Sequence, residues 1–467
     1  MADWWTEPID SGPLPEDGGR YDIIVVGGGP GGSGAAMYAS MAGHRVLLLE
    51  KSVFPRQKSC GDAVGGSALM HVQAFGCKDD IEATPCYQVT DMIFSSANGV
   101  EVSIPLPADR IGDRTAGMVI PRLQFDYVLF KRAVELVRKN GGAVIQDFPV
   151  SEVHMVGEGD KQRIIGVSGT VGGPRSGNEV MTFTAPLTIG AGGYNCPVSR
   201  TVTEAHGEPM RDDDHYIAAY REYWEMDCGE TGPIELHFIG GDLGGGYFWI
   251  FPVRGPGPGS GAGDQGGQGI CNVGIGLLQR ELKLNKTKLR ALQAQVIAEH
   301  PKFKERFKSA KMVEGSGIGH MIPCGSPRKN PPSYQPRRIA MAGAGCVGDS
   351  ATLVNAFSGE GIDPAFVSAK TLIEHFDRDE HADGFPSEAA HDYQTELWKN
   401  LGPVMTNSHK MQKLVKMRRL MNWFMGKASR DNKRGEMIRN QLELAVSSKS
   451  AQEDVATPWQ LIKLMLF

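Results

Sequence analysis

The chain has 467 residues, more than one hydrophobic core usually organises, so we expect two or three substructures. Its formal net charge of −5 gives no support for nucleic-acid binding. The eight cysteines include no C-x-x-C pair, and the twelve histidines show no ligand-like pairing with them, so we expect neither a disulfide framework nor a metal site. The first residues lack a signal pattern and no apolar stretch reaches bilayer length, so we expect a cytoplasmic protein that does not cross a membrane.

A glycine-rich turn follows the first apolar run of the chain. The run Tyr21–Val26 is typical of a buried parallel strand, and the small residues after the turn favour a helix. The spacing Gly27-x-Gly29-x-x-Gly32 lets the chain turn tightly, brings the backbone close to a pyrophosphate and packs the helix on the sheet. The phosphates would then meet backbone N–H groups at a helix N-terminus. This arrangement predicts a dinucleotide-binding unit.

The following segments continue the alternation of strands and helices. A strand at 45–49 ends in Glu50, whose carboxylate can accept hydrogen bonds from both ribose hydroxyls. The later predicted elements are a helix at 123–140, a strand at 143–150, a hairpin at 161–188, a strand leading into 187–193, short strands through 215–322, a helix from 361 and helices beyond 371. The stretch 255–269, rich in glycine, proline and serine, is predicted to be a mobile loop.

Three further segments indicate a flavin rather than a nicotinamide cofactor. Arg122 opens the helix at 123–140, Asp349 ends a predicted strand shortly before Gly361, and residues 58–64 form a glycine-containing loop. An aspartate at a strand end can hold ribityl hydroxyls, and glycines at a helix start let the backbone approach phosphate and the flavin ring. With these segments the chain resembles the flavoprotein group that includes para-hydroxybenzoate hydroxylase, in which three such segments converge on one FAD.

Within that group the chain is similar to the geranylgeranyl reductase family. The resemblance depends on the loop Phe54–Asp62, the run Gly246–Pro252 and the strand Cys271–Gly276, which resemble that family's Cys-Gly flavin loop, its Tyr-x-Trp-x-Phe-Pro signature and its Asn-Val-Gly strand. The resemblance implies FAD as cofactor, with contacts at Glu50, Cys60, Gly61, Ala63, Arg122, Val150, Asp349, Gly361 and Ile362 in addition to the glycine turn.

Two departures from the group's pattern affect this interpretation. Gly192 stands where the group usually has an acid, and Ala356 stands where it usually has a proline. There is also no second glycine-rich unit for a nicotinamide cofactor. We therefore expect the reductant to visit transiently as NAD(P)H, or to be a ferredoxin-like redox protein.

The resemblance and the predicted elements together imply an α/β protein with four segments. We expect a Rossmann-like FAD-binding domain with a smaller, mostly antiparallel substrate domain and a helical C-terminal region. The predicted bounds are 18–200 for the first part of the FAD-binding domain, with a β insertion near 80–120, then 201–335 for the substrate domain, 336–375 for the return of the FAD-binding domain, and 376–467 for the helical region.

An aromatic stripe in the predicted substrate domain is a candidate pocket wall. Alternate residues of a strand face one side, so Tyr247, Trp249 and Phe251 would share a face. Such a face suits a long isoprenoid chain, and aromatic rings stabilise the cationic character that develops when an isolated alkene is reduced. We therefore give Tyr247 and Trp249 catalytic roles, the alternative being that the stripe is ordinary sheet core.

Cys60 is the third candidate catalytic residue. A buried cysteine usually acts as a small hydrophobe, but this one lies beside Gly61 in the predicted flavin loop. A thiol can donate a proton. We predict that Cys60 contacts the flavin site, with proton donation as its chemical role.

The C-terminal region includes a basic and imperfectly amphipathic segment at 410–425 and an apolar segment at 458–467. Most such helices pack on their own protein, but a lipid substrate would favour docking at a membrane surface, in this case the inner membrane face.

These observations predict an FAD-dependent reductase that saturates C=C bonds of geranylgeranyl chains on membrane lipids, diphosphates or quinones. One alternative is a flavin monooxygenase or halogenase of the same fold, although the run 247–252 lacks the first tryptophan of the halogenase signature. Another alternative is a flavin-bound lipid-binding protein without catalytic activity.

Overall fold

The computed structural model describes residues 4–105, 117–228, 231–238, 246–254, 269–327 and 337–447. The predicted loop at 255–269 lies outside these residues except for Gly269, which begins a strand. The predicted apolar segment at 458–467 also lies outside them.

The described residues form nineteen strands and twelve α-helices. The strands are β1 (Ile23–Val26), β2 (Val46–Leu49), β3 (Ala63–Gly65), β4 (Tyr87–Ser95), β5 (Glu101–Pro105), β6 (Gly117–Val119), β7 (Ala143–Ile145), β8 (Val150–Val156), β9 (Arg163–Gly169), β10 (Met181–Thr184), β11 (Leu187–Gly190), β12 (Tyr216–Met226), β13 (Thr231–His237), β14 (Tyr247–Arg254), β15 (Gly269–Leu278), β16 (Lys311–Met312), β17 (Ile318–Pro323), β18 (Ala340–Met341) and β19 (Ala344–Cys346). The helices are α1 (Pro30–Met41), α2 (Gly66–Ala74), α3 (Lys78–Glu82), α4 (Arg122–Lys139), α5 (Pro197–Ala205), α6 (Gln279–Asn285), α7 (Leu289–Glu299), α8 (Pro301–Arg306), α9 (Ile362–Glu374), α10 (Ser387–Val415), α11 (Arg418–Ala428) and α12 (Lys433–Ser447).

A six-stranded, mostly parallel sheet forms the centre of the molecule. Its order is β18-β19-β11-β1-β2-β7, and only β18 runs antiparallel to its neighbour. If the five parallel strands β1, β2, β7, β11 and β19 are numbered 1 to 5 in chain order, their order across the sheet is 3-2-1-4-5. This is the order of a doubly wound nucleotide-binding fold. The residues of β1, β2 and β11 are fully buried, as expected when helices cover both faces. The predicted α/β class is confirmed.

A second sheet of ten strands lies beside the first and is mostly antiparallel. Its main path is β16-β12-β15-β14-β13-β4-β6-β3, with β17 paired to β12 and β5 paired to β4. The long strands β12 and β15 pair over ten positions, and β13 pairs in parallel with β4. Segments 63–119 and 216–323 therefore contribute to one sheet, whereas the domain boundaries predicted from the sequence remain a prediction.

Several local predictions were wrong in detail. The strand predicted at 143–150 ends at Ile145, because Asp147 adopts a left-handed φ of 54° and Pro149 has no N–H to pair. The second hairpin arm ends at Thr184, and Pro186 separates it from β11. The region 215–322 was predicted to contain mostly short strands, but β12 and β15 in this region are long. Three helices that were not predicted, α6, α7 and α8, follow β15.

The basic segment predicted at 410–425 is not a single helix. The chain leaves helical geometry at Met417, whose ψ is 74°, so that α10 ends at Val415 and α11 starts afresh at Arg418. No helix among the described residues is long and apolar enough to cross a bilayer.

Candidate functional site

A cavity of about 470 Å³ lies where the order of the parallel sheet reverses, beside the residues that follow β1, β2, β11 and β19. Ligands of open α/β sheets bind at this switch point. All but one of the predicted site residues line the cavity, namely Gly27, Gly29, Glu50, Cys60, Gly61, Ala63, Arg122, Val150, Tyr247, Trp249, Asp349, Gly361 and Ile362. The exception, Gly32, packs behind the turn.

The three glycines of the turn have different steric surroundings. A Cβ on Gly27, which has φ +115°, would lie 2.4 Å from the carbonyl oxygen of Ala191, and a Cβ on Gly32 would lie 1.7 Å from that of Gly27. Gly29 is different, because the nearest atom to its Cβ position is Nη2 of Arg56 at 3.4 Å. Gly27 and Gly32 therefore permit close packing within the protein, whereas Gly29 leaves room for a ligand.

Glu50 is held at the end of β2 by backbone donors. Its Oε2 accepts a hydrogen bond from the Gly28 N–H at 2.6 Å and its Oε1 accepts one from the Ser52 N–H at 3.0 Å. Nε of Arg56 lies 3.8 Å from Oε1. Each carboxylate oxygen can accept a further hydrogen bond, so the arrangement is compatible with the predicted contact to ribose hydroxyls.

Two arginines converge on a buried carboxylate beside the glycine turn. Arg122 donates to Oδ1 and Oδ2 of Asp126 at 2.6 and 2.9 Å, and Nη1 of Arg56 donates to Oδ2 at 3.1 Å. Burial is the largest single effect on the pKa of Arg122 and lowers it, but the charges of and hydrogen bonds to Asp126 and Cys60 together raise it by more, so the net shift is upward. Arg122 also hydrogen-bonds the side chain of Cys60. Arg56 also lies beside Glu50, so these two guanidiniums face two carboxylates and add no net charge to this part of the cavity wall.

Lys58 and His320 form a second pair in the cavity wall. Nζ of Lys58 and Nε2 of His320 are 2.5 Å apart. Burial lowers the pKa of Lys58 to about 8. Burial, with the neighbouring Lys58 as the next cause, lowers the pKa of His320 to about 3, so the imidazole is neutral and accepts from the ammonium.

Two helices begin at the cavity. α1 starts after Gly29 and α9 starts after Gly361, and neither N-cap residue has a side chain that satisfies the first N–H groups. Asp349 lies in the short 3-10 turn Gly348–Ala351, which precedes α9 in the chain. Its Oδ1 is 3.4 Å from the position that a Cβ on Gly361 would occupy. At α9 the Asp363 N–H already donates to Oε1 of Glu360, whereas the open N-terminus of α1 and the space at Gly29 suit a pyrophosphate. The residues present therefore fit FAD.

The predicted aromatic stripe, Tyr247, Trp249 and Phe251, also lines the cavity. The ring centroids of Tyr247 and Trp249 are 5.9 Å apart, and those of Trp249 and Phe251 are 6.4 Å apart. Phe251 packs on the flavin-loop backbone, 3.0 Å from the Cβ position of Gly61. The alternate residue Phe248 faces a different hydrophobic cluster. The stripe is largely buried and lines the cavity at the same time.

A hydrogen-bonded network connects the aromatic wall to the Cys60 loop. Asn272, fully buried on β15, accepts from Nε1 of Trp249 at 2.9 Å and donates to the Cys60 carbonyl at 2.6 Å. It also donates to Oδ2 of Asp62 at 2.8 Å, to which the Tyr223 hydroxyl donates at 2.6 Å. Asp62 adopts a left-handed φ of 67°, and burial raises the pKa of its carboxyl.

Sequence reasoning gave no role to several residues of this site. They are Arg56, Lys58, Asp126, Tyr223, Asn272 and His320. Arg56 and Lys58 belong to the loop that suggested the family resemblance, so a cation near the glycine turn could have been predicted. His320 and Tyr223 come from strands of unremarkable sequence that gave no such signal.

The fold and the cavity define a flavoprotein of the Rossmann type. The family model of glucose inhibited division protein A matches residues 22–75, which span the first βαβ unit. Among curated proteins, the chain is 27% identical over 355 residues to digeranylgeranylglycerophospholipid reductase of Thermoplasma acidophilum, covering 74% of this chain and 76% of that protein. It is 24% identical over 364 residues to menaquinone reductase of Mycolicibacterium smegmatis, covering 76% of each.

Solved structures show the same fold at lower identity. A geranylgeranyl bacteriochlorophyll reductase-like protein of Thermoplasma acidophilum superposes with a TM-score of 0.66 at 19% identity, covering 95% of this chain and 98% of that chain. A flavin-dependent brominase superposes with a TM-score of 0.65 at 16% identity, covering 96% and 97%. These comparisons confirm the predicted resemblance to geranylgeranyl reductases and the predicted FAD cofactor, and they support an FAD-dependent oxidoreductase. The brominase shares the fold alone.

Proposed function

We propose that this protein is an FAD-dependent reductase that saturates C=C bonds of geranylgeranyl or related polyprenyl chains on membrane lipids or their precursors. The observation that carries the proposal is that Tyr247, Trp249 and Phe251 line the same cavity as the glycine turn, with Phe251 packed against Gly61 of the flavin loop. The relatives named as digeranylgeranylglycerophospholipid and menaquinone reductases support it.

The aromatic wall matches the main difficulty of the proposed reaction. An isolated trisubstituted alkene accepts hydride poorly unless positive charge develops on its more substituted carbon. Each aromatic face stabilises such a cation by about 0.5–2 kcal/mol. The wall also excludes water, which would otherwise trap the cation. Bound reduced FAD would supply the hydride.

The second hydrogen of the product must come from a proton donor. Cys60 is the proposed donor, and Arg122 is in a position to orient its thiol because the two side chains hydrogen-bond. Lys58 is a further proton source in the same wall, since burial lowers its pKa to about 8, and its hydrogen bond to the neutral His320 holds the ammonium in place. One proton and one hydride added per double bond account for the two hydrogens gained.

Product mass is the direct test of the reaction. Protein reduced chemically under nitrogen and incubated with a geranylgeranyl lipid should yield products heavier by about two mass units per double bond, since each gains one hydride and one proton. A chemical reductant avoids the choice between NAD(P)H and a ferredoxin-like donor. Incorporation of oxygen or halide in air would instead support the monooxygenase or halogenase alternative. Reducible flavin without turnover of any polyprenyl substrate would support the lipid-binding alternative.

The aromatic wall gives a second test. Trp249→Ala should slow lipid reduction while FAD stays bound, because the indole contacts Asn272 and the wall rather than the glycine turn. The matched control is Phe248→Leu, which alters the same strand on its other face. Unchanged turnover in well-folded Trp249→Ala would refute the pocket role of the stripe.

A further inference from the structure

The C-terminal helices form a strongly basic segment in a chain that is acidic overall. Residues 410–439 contain ten Lys or Arg and two Asp or Glu, a net charge of +8, whereas the whole chain carries −5. The remainder of the chain is therefore strongly acidic. Such a separation of charge indicates an anionic partner for this one region.

Helices α11 and α12 are anchored to the sheet by their inner faces. Phe424, Met425 and Ile438 pack with Val102 and Ile104 of β5 in one hydrophobic cluster. The helices therefore have a fixed orientation, which determines the side chains they present outward.

The outward side chains alternate between basic and large apolar residues. Arg419, Trp423 and Lys427 follow one another at single-turn spacing along α11, with Nζ of Lys427 5.7 Å from the Trp423 ring centroid. Trp423 and Met437 are each 41% exposed and Met417 is 55% exposed. These five residues define the basic apolar face.

Aromatic contacts connect this face to the candidate site. Phe94 packs against the cluster beneath α11, and its ring stacks with Phe238 at 6.3 Å. Phe238 in turn contacts Tyr247 edge to face at 6.2 Å and stacks with Phe357 at 5.8 Å. Tyr247 lines the cavity. A contiguous set of packed aromatic rings, which we call the apolar path, therefore joins the inner side of α11 to the cavity wall.

We propose that the basic apolar face docks on the surface of an anionic lipid bilayer. Cations attract acidic headgroups, while tryptophan and methionine side chains enter the boundary between headgroups and acyl chains. Two exposed methionines beside Trp423 favour lipid over nucleic acid, since their flexible apolar side chains suit acyl chains and add no stacking surface for bases. The docking proposal depends only on the charge and the exposed side chains of the basic apolar face. The additional inference that docking brings polyprenyl chains close to the apolar path rests on the proposed function.

Vesicle sedimentation tests the docking. The FAD-loaded protein should sediment with vesicles of phosphatidylglycerol and phosphatidylcholine, and about tenfold less with phosphatidylcholine alone. Binding should weaken as ionic strength rises from about 0.1 M to about 0.5 M. The variant with Trp423→Ala, Arg419→Gln and Lys427→Gln should lose binding about tenfold, because it removes one apolar and two basic groups.

A matched control removes one exposed apolar and two exposed basic groups elsewhere, with Leu284→Ala, Lys286→Gln and Arg290→Gln. It should bind vesicles as the wild type does. The proposal would be overturned if the wild type did not bind the anionic vesicles or if the control variant lost binding equally. It would also be overturned if the wild type bound nucleic acid or an acidic protein but not the vesicles. Vesicle binding without reduction of a detergent-dispersed geranylgeranyl lipid would leave the docking intact and contradict the proposed function instead.

Discussion

The indole Nε1–H of Trp249 donates to Oδ1 of Asn272 across 2.9 Å, although the two residues lie on different strands and are 23 positions apart in the chain. The amide nitrogen of the same Asn272 donates to the carbonyl of Cys60. One buried amide thus fixes both the aromatic wall and the flavin loop.

We expect Asn272→Leu to disorder the Cys60 loop while leaving the sheet folded. The leucine has similar volume but cannot hydrogen-bond, so the Cys60 carbonyl, Asp62 and the Trp249 N–H would each lose a buried partner, at about 1–3 kcal/mol each. The rate of thiol alkylation at Cys60 should rise and FAD affinity should fall. Gln293→Leu, at a buried amide that contacts Glu222 instead, is the control. Equal alkylation rates in wild type and Asn272→Leu would contradict the positioning role.

Gly29→Val and Gly32→Val should fail for different reasons. At Gly29 the backbone is extended and the nearest side chain is 3.4 Å from the Cβ position, so the variant should fold but lose FAD. At Gly32 the Cβ would overlap the Gly27 carbonyl, so folding itself should suffer. Flavin absorbance of the purified proteins and their thermal unfolding separate the two outcomes. Bound flavin in Gly29→Val would argue against pyrophosphate at this turn.

The proposed proton transfer by Cys60 predicts an ordered series of rates. Cys60→Ala should abolish oxidation of prereduced flavin by substrate, and Cys60→Ser should restore little, because a hydroxyl is a much weaker acid than a thiol. Single-turnover kinetics isolate this step from the unknown electron donor. Near-wild-type rates in Cys60→Ala would remove the thiol from the mechanism and make Lys58 the next candidate, tested by Lys58→Met.

Acid should destabilise the protein through a buried triad in the ten-stranded sheet. Glu235 contacts His237 at 3.0 Å and Arg306 at 2.6 Å. Burial alone would raise the pKa of Glu235, but these two partners lower it from 4.5 to about 2. Stability from a lowered carboxyl pKa is present above the unfolded value, so it should decline as pH falls from about 4.5 to about 2, by about 3 kcal/mol in total.

His237 acts in the same direction over a higher range. Burial lowers its pKa, so protons bind the unfolded state first and stability should begin to fall below pH 6.5. Arg306→Met should cost about 3–5 kcal/mol near neutral pH by leaving the Glu235 charge without its guanidinium. Lys308→Met, which affects only an exposed pair, should cost almost nothing. Urea unfolding across this pH range measures each effect.

The predicted features that the fold contains are local in sequence. Strand, glycine turn and helix follow one another within 20 residues of Tyr21, and the alternation at Tyr247 and Trp249 is a property of one strand. Such patterns reflect backbone geometry that neighbouring residues dictate. The dinucleotide turn and the aromatic face could therefore be predicted without a structure.

The remaining contacts depend on residues that are far apart in the chain. Asn272 lies 212 positions from Cys60, and His320 lies 262 positions from Lys58. Their pairing follows from the register of β15 and β17 against β12, which no local pattern specifies. The parallel pairing of β13 with β4 is similarly long-range, and it explains why the insertion near 80–120 was not predicted to share a sheet with later strands.

The central sheet also sets an order of events during biosynthesis. β1 is made from residues 23–26, but its neighbour β11 ends at Gly190 and the next strand, β19, ends only at Cys346. Asp349 and the start of α9 follow later still. A nascent chain therefore displays the glycine turn long before the opposite side of the cavity has left the ribosome. We therefore expect the complete cavity to form only after the start of α9 at Ile362 has been synthesised.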